Sequence, residues 1–181
     1  MKVISGIYKG RILEGFSIEG TRPTMDRVKE SLFGMIQNHL SDSVVLDLFA
    51  GSGALAIEAL SQGAKKAYLV DTNNQSIKTI NKNVEKLQIK NASIIKSDYT
   101  KALEKFYNQN LKFDIIFIDP PYKTDYIAKS LDLINKYNLL SDDGIIVCES
   151  NELEKVIYPK TCKISKMKKY GDKLIVLLEK L

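Results

Sequence analysis

Asp119-Pro120-Pro121-Tyr122 follows the apolar run Phe113–Ile118, and these residue types suit work on an amine. Consecutive prolines fix φ and remove backbone donors, so the chain leaving the run is stiff and offers only carbonyls. An exocyclic amine on a nucleic-acid base is a poor nucleophile because its lone pair is delocalised into the ring. The Asp119 carboxylate and the Pro120 carbonyl can each accept one of its N–H bonds. That turns the lone pair toward an electrophile and stabilises the charge developing on nitrogen. Tyr122 can stack on a base flipped from its helix or loop. The plainer reading, a rigid strand-ending turn with a surface tyrosine, loses ground once a second motif is counted.

That motif is Asp47-Leu48-Phe49-Ala50-Gly51-Ser52-Gly53, a glycine turn between an apolar run and a helical segment. Its glycines permit a tight turn and a close approach of backbone to ligand. Gly51-Ser52-Gly53-Ala54-Leu55-Ala56 also fits the loose dinucleotide fingerprint, with Asp71 at a suitable distance, so a nicotinamide-type oxidoreductase competes. Asp47 argues against it. A carboxylate before the first glycine repels a pyrophosphate but suits the ammonium and sulfonium groups of S-adenosylmethionine. Asp71 can accept ribose hydroxyls from either ligand, and Asp98 can accept from an adenine amine or cap the helix that follows it. A P-loop is excluded because no G-x-x-x-x-G-K-[ST] occurs.

These residues need a frame that brings them together. Apolar, β-branched runs at Val44–Phe49, Ala67–Asp71, Ala92–Asp98, Phe113–Asp119 and Gly144–Glu149 alternate with helical segments at Ala54–Gln62, Gln75–Leu87 and Asp125–Tyr137. Such alternation predicts a parallel sheet covered on both faces. Lys163–Lys169 and Lys173–Leu178 flank Tyr170-Gly171-Asp172 with no room for a helix, and so predict an antiparallel hairpin closing the sheet. Residues 1–18 carry two short strand-like stretches, and Thr24–His39 is an amphipathic helix. The expected fold is α/β: a mostly parallel, seven-stranded sheet with a C-terminal hairpin. Residues 1–40 form a small extension and 41–181 the main domain, together one compact unit. Ligands of such sheets sit outside the carboxyl ends of the strands, and Asp47, Asp71, Asp98, Asp119 and Glu149 all lie at or near those ends.

Composition excludes several classes. No apolar run is long enough to cross a bilayer, and Met1–Gly6 lacks the features of a signal peptide, so a cytoplasmic location is expected. Two cysteines without a Cys-x-x-Cys pair and a single histidine, His39, make a zinc site or disulfide framework unexpected, and no metal is assigned. The net charge of +5 leans toward anionic partners, and all three arginines, Arg11, Arg22 and Arg27, fall in one segment. Arginine's rigid fork suits phosphates and base edges, although chance clustering explains three residues about as well.

Thr21-Arg22-Pro23-Thr24-x-Asp26-Arg27-Val28-Lys29-Glu30-x-Leu32-Phe33, the glycine turn and Asp119–Tyr122 together resemble the bacterial RsmD-type family. Gly6-x-Tyr8-Lys9-Gly10-Arg11 and Lys169–Asp172 extend the resemblance over nearly the whole chain. It implies a Rossmann-like class I methyltransferase fold and methylation of a guanine N2 in small-subunit ribosomal RNA. It also implies that Asp47, Phe49, Ala50, Gly51, Ser52, Gly53, Asp71 and Asp98 surround S-adenosylmethionine. By the same resemblance Arg22, Pro23 and Thr24 border the mouth of the site, with Lys9 and Arg11 nearer RNA; Arg27 belongs to the same substrate-facing segment. Where relatives often carry glutamate after the second strand, this chain has Asp71.

An adenine-N6 methyltransferase of DNA or RNA would use the same amine chemistry, but the chain has no evident further domain for reading duplex sequence. A non-catalytic RNA-binding module would not need Asp119–Tyr122 beside a cofactor turn, and an oxidoreductase has only His39 for proton relay. The expected partner is small-subunit ribosomal RNA, naked or in an assembled subunit, met by a monomeric enzyme.

Overall fold

The computed structural model describes residues 1–15, 22–121 and 125–181, the side chains of 22–25 excepted. Its elements run α1 (Arg22–Ile36), β1 (Val44–Asp47), α2 (Ala54–Ser61), β2 (Lys66–Asp71), α3 (Asn74–Lys86), β3 (Ala92–Lys96) and α4 (Tyr99–Asn108). They continue with β4 (Phe113–Ile118), α5 (Tyr126–Lys136), β5 (Leu140–Ser150), β6 (Cys162–Tyr170) and β7 (Lys173–Lys180). The strands form one seven-stranded sheet in the order β3-β2-β1-β4-β5-β7-β6. The first five are parallel, and β7 runs antiparallel to both β5 and β6. The hairpin therefore folds back so that its second strand, not its first, pairs with β5, and β6 forms the edge.

Period-2 alternation sorts the strand residues onto two apolar faces. Val45, Leu69, Phe117, Val147 and Ile175 pack against α1, α2 and α3, while Leu46, Val70, Ile116, Cys148 and Val176 pack against α4 and α5. Strand order reverses between β1 and β4, where a crevice opens at the carboxyl ends. Asp47 pairs in register with Phe117, and Ile118 with Cys148, which places Asp47, Asp119 and Glu149 on the α1–α2 face at those ends.

Three local expectations are corrected. The expected pair of N-terminal strands is a loop closed by one bridge, Lys2 with Ile12, because positive φ at Gly6 and Gly10 turns the chain too tightly for ladders. The helix expected over Thr24–His39 begins at Arg22, with Pro23 in its first turn where no donor is missed, and tightens to a 3₁₀ turn over Gln37–His39. Strand β5 starts earlier than Gly144, at Leu140, across a register shift between Phe113 and Ile115.

The N-terminal loop is fixed to α2 by a buried charge. Glu58, on α2, is fully buried and accepts from the Ile4 amide (2.9 Å), the Ser5 amide (3.0 Å) and the Gln62 side chain (2.8 Å). Lys29, on α1, pairs with Glu58 at 3.0 Å and donates to the Lys2 carbonyl at 2.6 Å. A Cβ on Gly6 would meet the Ser61 carbonyl oxygen at 1.7 Å, so the loop can lie on the end of α2 only with glycine there. Removing one member of a buried pair leaves the other uncompensated. Glu58→Gln is expected to destabilise the protein by about 3 kcal/mol in urea unfolding, with Lys29→Met in the same chain recovering much of it. A loss below about 0.5 kcal/mol, the size of an ordinary surface substitution, would show that the pair contributes nothing.

Candidate active site

The glycine turn leaves β1 and doubles back on the sheet. The Ala50 amide donates to the Val70 carbonyl (2.9 Å) and the Gly53 amide to the Ala50 carbonyl (2.7 Å). Gly53 has φ of 79° and a Cβ there would come within 3.0 Å of Leu69, so the turn needs glycine for backbone and space alike. The Gly51 amide donates to Asp71 Oδ2 (2.9 Å), and Asp71 Oδ1 accepts from the Asn73 amide (2.8 Å). Asp71 thus ties the turn to the start of α3 and keeps lone pairs on both oxygens for further donors.

A two-lobed cleft lies above these strand ends. The larger lobe, about 810 Å³, is bordered by Asp71, Asp98, Tyr99, Pro120 and Pro121. The smaller, about 280 Å³, lies under Val28 and Leu32 of α1 and reaches Asp47, Ala50 and Ser52. Phe49, Gly51, Asp119, Glu149 and Lys173 line both, so the lobes meet at Asp119. One wall is aromatic: Phe49 lies 5.3 Å from Tyr99 and is stacked on Tyr126 at 5.9 Å between ring centroids.

The electrostatics favour a cationic ligand. Asp47 is 1% exposed and accepts the Ala56 amide at 3.3 Å. Burial pushes its carboxyl up to about 7, with the Ala56 bond opposing and nearby Asp71 adding to the rise. Asp119 is raised well above the ordinary carboxylate range, first by burial and then by Glu149, against the pull of Lys173. Lys173 forms an ion pair with Glu149. Asp98 behaves differently. It caps α4 through the Thr100 amide (2.9 Å) and hydroxyl, and that hydroxyl bond holds its carboxyl below the usual value.

The cleft therefore gathers Asp47, Phe49, Ala50, Gly51, Ser52, Asp71, Asp98, Asp119, Pro120 and Pro121. Gly53 is buried behind the turn. Lys9 and Arg11 are exposed on the N-terminal loop and Arg27 is exposed on α1; none of the three lines either lobe. Tyr122 lies outside the described residues, as do the side chains of Arg22, Pro23 and Thr24. Lys29, Tyr99, Tyr126 and Lys173 border the cleft without having been expected there. A signal existed for Lys173: it shares strand parity with Ile175 and Leu177, whose side chains enter the core on the α1–α2 face.

Residues 1–179 match the family model described as Conserved hypothetical protein 95. YlbH of Bacillus subtilis is 43% identical over 150 residues, covering 82% of each chain. Ribosomal RNA small subunit methyltransferase D of Buchnera aphidicola is 34% identical, covering 92% of this chain and 86% of its own. The solved structure of yhhF from Escherichia coli superposes with a TM-score of 0.86 at 29% identity, covering 99% of this chain and 97% of the other. The chain belongs to the Conserved hypothetical protein 95 family, in which it stands with the ribosomal RNA small subunit methyltransferase D proteins.

Proposed function

We propose that this protein is an S-adenosylmethionine-dependent methyltransferase acting on the N2 amine of a guanine in small-subunit ribosomal RNA. The observation that carries the reading is one cleft with carboxylates on both sides of the sheet's switch point, buried Asp47 at the cofactor turn and half-buried Asp119 before the prolines. S-adenosylmethionine supplies a methyl carbon made electrophilic by its positive sulfur. The residues present fit it: the anionic lobe at Asp47 suits its cationic end, Asp71 offers acceptors for ribose hydroxyls, and the Phe49–Tyr99 wall offers a face for an adenine ring. Asp98, half committed to capping α4, can accept from the adenine amine with its remaining lone pairs.

On the substrate side Asp119 and the Pro120 carbonyl accept the amine's N–H bonds and fix the nitrogen in line for displacement. After transfer the nitrogen must lose a proton, and a carboxylate raised above its ordinary range is a better acceptor than a surface one. Val28 and Leu32 give the smaller lobe an apolar flank beside the cationic end. Tyr122 stacks the flipped base, Arg22, Pro23 and Thr24 border the mouth, and Lys9, Arg11 and Arg27 meet RNA phosphates farther out. No described helix is long and apolar enough to cross a membrane. In this reading the enzyme acts in the cytoplasm, as a monomer and without a metal.

The test is transfer of labelled methyl from S-adenosylmethionine to small ribosomal subunits, and to their naked RNA, from cells lacking this protein. N2-methylguanosine among the labelled nucleosides is the expected product. Label on adenine N6 would keep the chemistry and overturn the base assignment; no transfer to any nucleic acid would overturn the function.

A further inference from the structure

Resting on that methyl-transfer reading, we propose that Glu149 and Lys173 read the Watson–Crick edge of the target base and select guanine among bases that carry an amine. Asp119 follows the end of β4, Glu149 ends β5 with Ile118 facing Cys148 in register, and Lys173 opens β7 beside them, with Leu174 opposite Ser150. Neighbouring strands lie roughly 5 Å apart, which sets Asp119 beside Glu149; Lys173 lies two residues from Ile175, the partner of Glu149, and its ion pair with Glu149 completes the row. The three side chains share one face of the sheet and line both lobes of the cleft.

Read from β7 to β4, the row presents a donor, an acceptor and an acceptor: Lys173, Glu149, Asp119. The guanine edge presents the complement in the same order, with O6 accepting, N1–H donating and the N2 amine donating. Adenine placed with its amine at Asp119 would turn its N1 lone pair toward the Glu149 carboxylate. Cytosine in the same pose would do so with N3. The ion pair between Lys173 and Glu149 does not prevent such reading. An ammonium has three donors and a carboxylate about four acceptor sites, so their bond to each other takes only part of either group's capacity. Lys173 also offsets the repulsion between Glu149 and Asp119. The Lys173 side chain is 31% exposed and the Glu149 side chain 12%, which leaves access for a base edge. A site that hydrogen-bonds its substrate rejects an analogue that leaves those groups unpaired, by factors of about 10⁴–10⁵ when the match is complete.

The test uses ligated RNA carrying either guanine or 2,6-diaminopurine at the position the wild-type enzyme methylates. Diaminopurine keeps the N2 amine but has an acceptor at N1 and a donor in place of O6. Wild-type kcat/KM is expected to favour guanine by about a hundredfold or more. Glu149→Gln, whose amide can donate to the diaminopurine N1, and Lys173→Met are each expected to cut that ratio by about tenfold or more, with S-adenosylhomocysteine binding unchanged. Variants that fold, bind the product cofactor and keep the wild-type ratio within about twofold would overturn the proposal and leave the methyl-transfer reading standing. If a variant does not fold, the wild-type ratio decides: equal turnover of both bases overturns the proposal. Wild-type transfer to adenine N6 would instead remove the guanine-N2 reading on which it rests.

Discussion

An Asp119→Asn enzyme is expected to transfer methyl about a thousandfold more slowly than the wild type while binding S-adenosylhomocysteine within about threefold. Asparagine keeps the size of the side chain but replaces one acceptor with an NH₂ donor that confronts the substrate's own N–H. It also removes the group best placed to receive the proton from the methylated nitrogen. Product cofactor carries no sulfonium charge, so its affinity isolates the shape of the cleft from the lost carboxylate. The pH dependence sharpens the test. Burial and Glu149 raise the Asp119 carboxyl, so in the wild type it gains its accepting form as pH rises, and transfer under saturating cofactor rises with it. The variant has no such limb to lose. Single-turnover rates as a function of pH measure both effects, and retention of more than about a tenth of the wild-type rate in Asp119→Asn would sink the assignment.

The frame was legible because each of the five parallel strands is a largely apolar run with an acid at or near its end. Val45, Phe117 and Val147 need burial on one face and Leu46, Ile116 and Cys148 on the other, and only a covered parallel sheet provides both. The gathering of Asp47, Asp71 and Asp119 follows from strand parity alone. The clamp of Glu58 and Lys29 was not legible: a glutamate amid the apolar residues of α2 carries no sign that its partners are the amides of Ile4 and Ser5, more than fifty positions away. Asn83 is similar, since its side chain joins Glu14 to the Ser52 carbonyl of the cofactor turn, and helical periodicity reports a polar face without its occupants. The N-terminal loop looks strand-like in sequence, but its β-branched residues satisfy their hydrogen bonds on α2 and on the loop itself, and Gly6 and Gly10 set those turns. Long-range polar contacts leave no period, and period is what a single sequence displays.

Asp47→Asn is expected to weaken cofactor binding by about a hundredfold at pH 8 and, in the absence of cofactor, to make the protein more stable there by about 2–4 kcal/mol. The second effect follows from a carboxyl whose folded value is about 7 against an ordinary 3.8. A group raised in this way favours the folded state fully below its unfolded value, and that contribution is lost as pH rises through the folded one. Between roughly pH 4 and 7 the wild type therefore gives up stability that asparagine, neutral throughout, retains. Asparagine can also keep the Ala56 amide bond that Asp47 Oδ2 accepts, so the substitution removes charge with little loss of contact. The variant's advantage should be large in urea unfolding at pH 8 and small at about pH 4. Cofactor binding has the opposite dependence, because a cationic ligand needs the ionised carboxylate. Wild-type affinity is expected to fall about tenfold per pH unit below 7, with about one proton released per cofactor bound, measured calorimetrically in buffers of different ionisation enthalpy. A stability difference that does not grow with pH would mean that Asp47 is not held raised by its burial. A pH-independent affinity in the wild type would mean that the cofactor's charge is met elsewhere in the cleft.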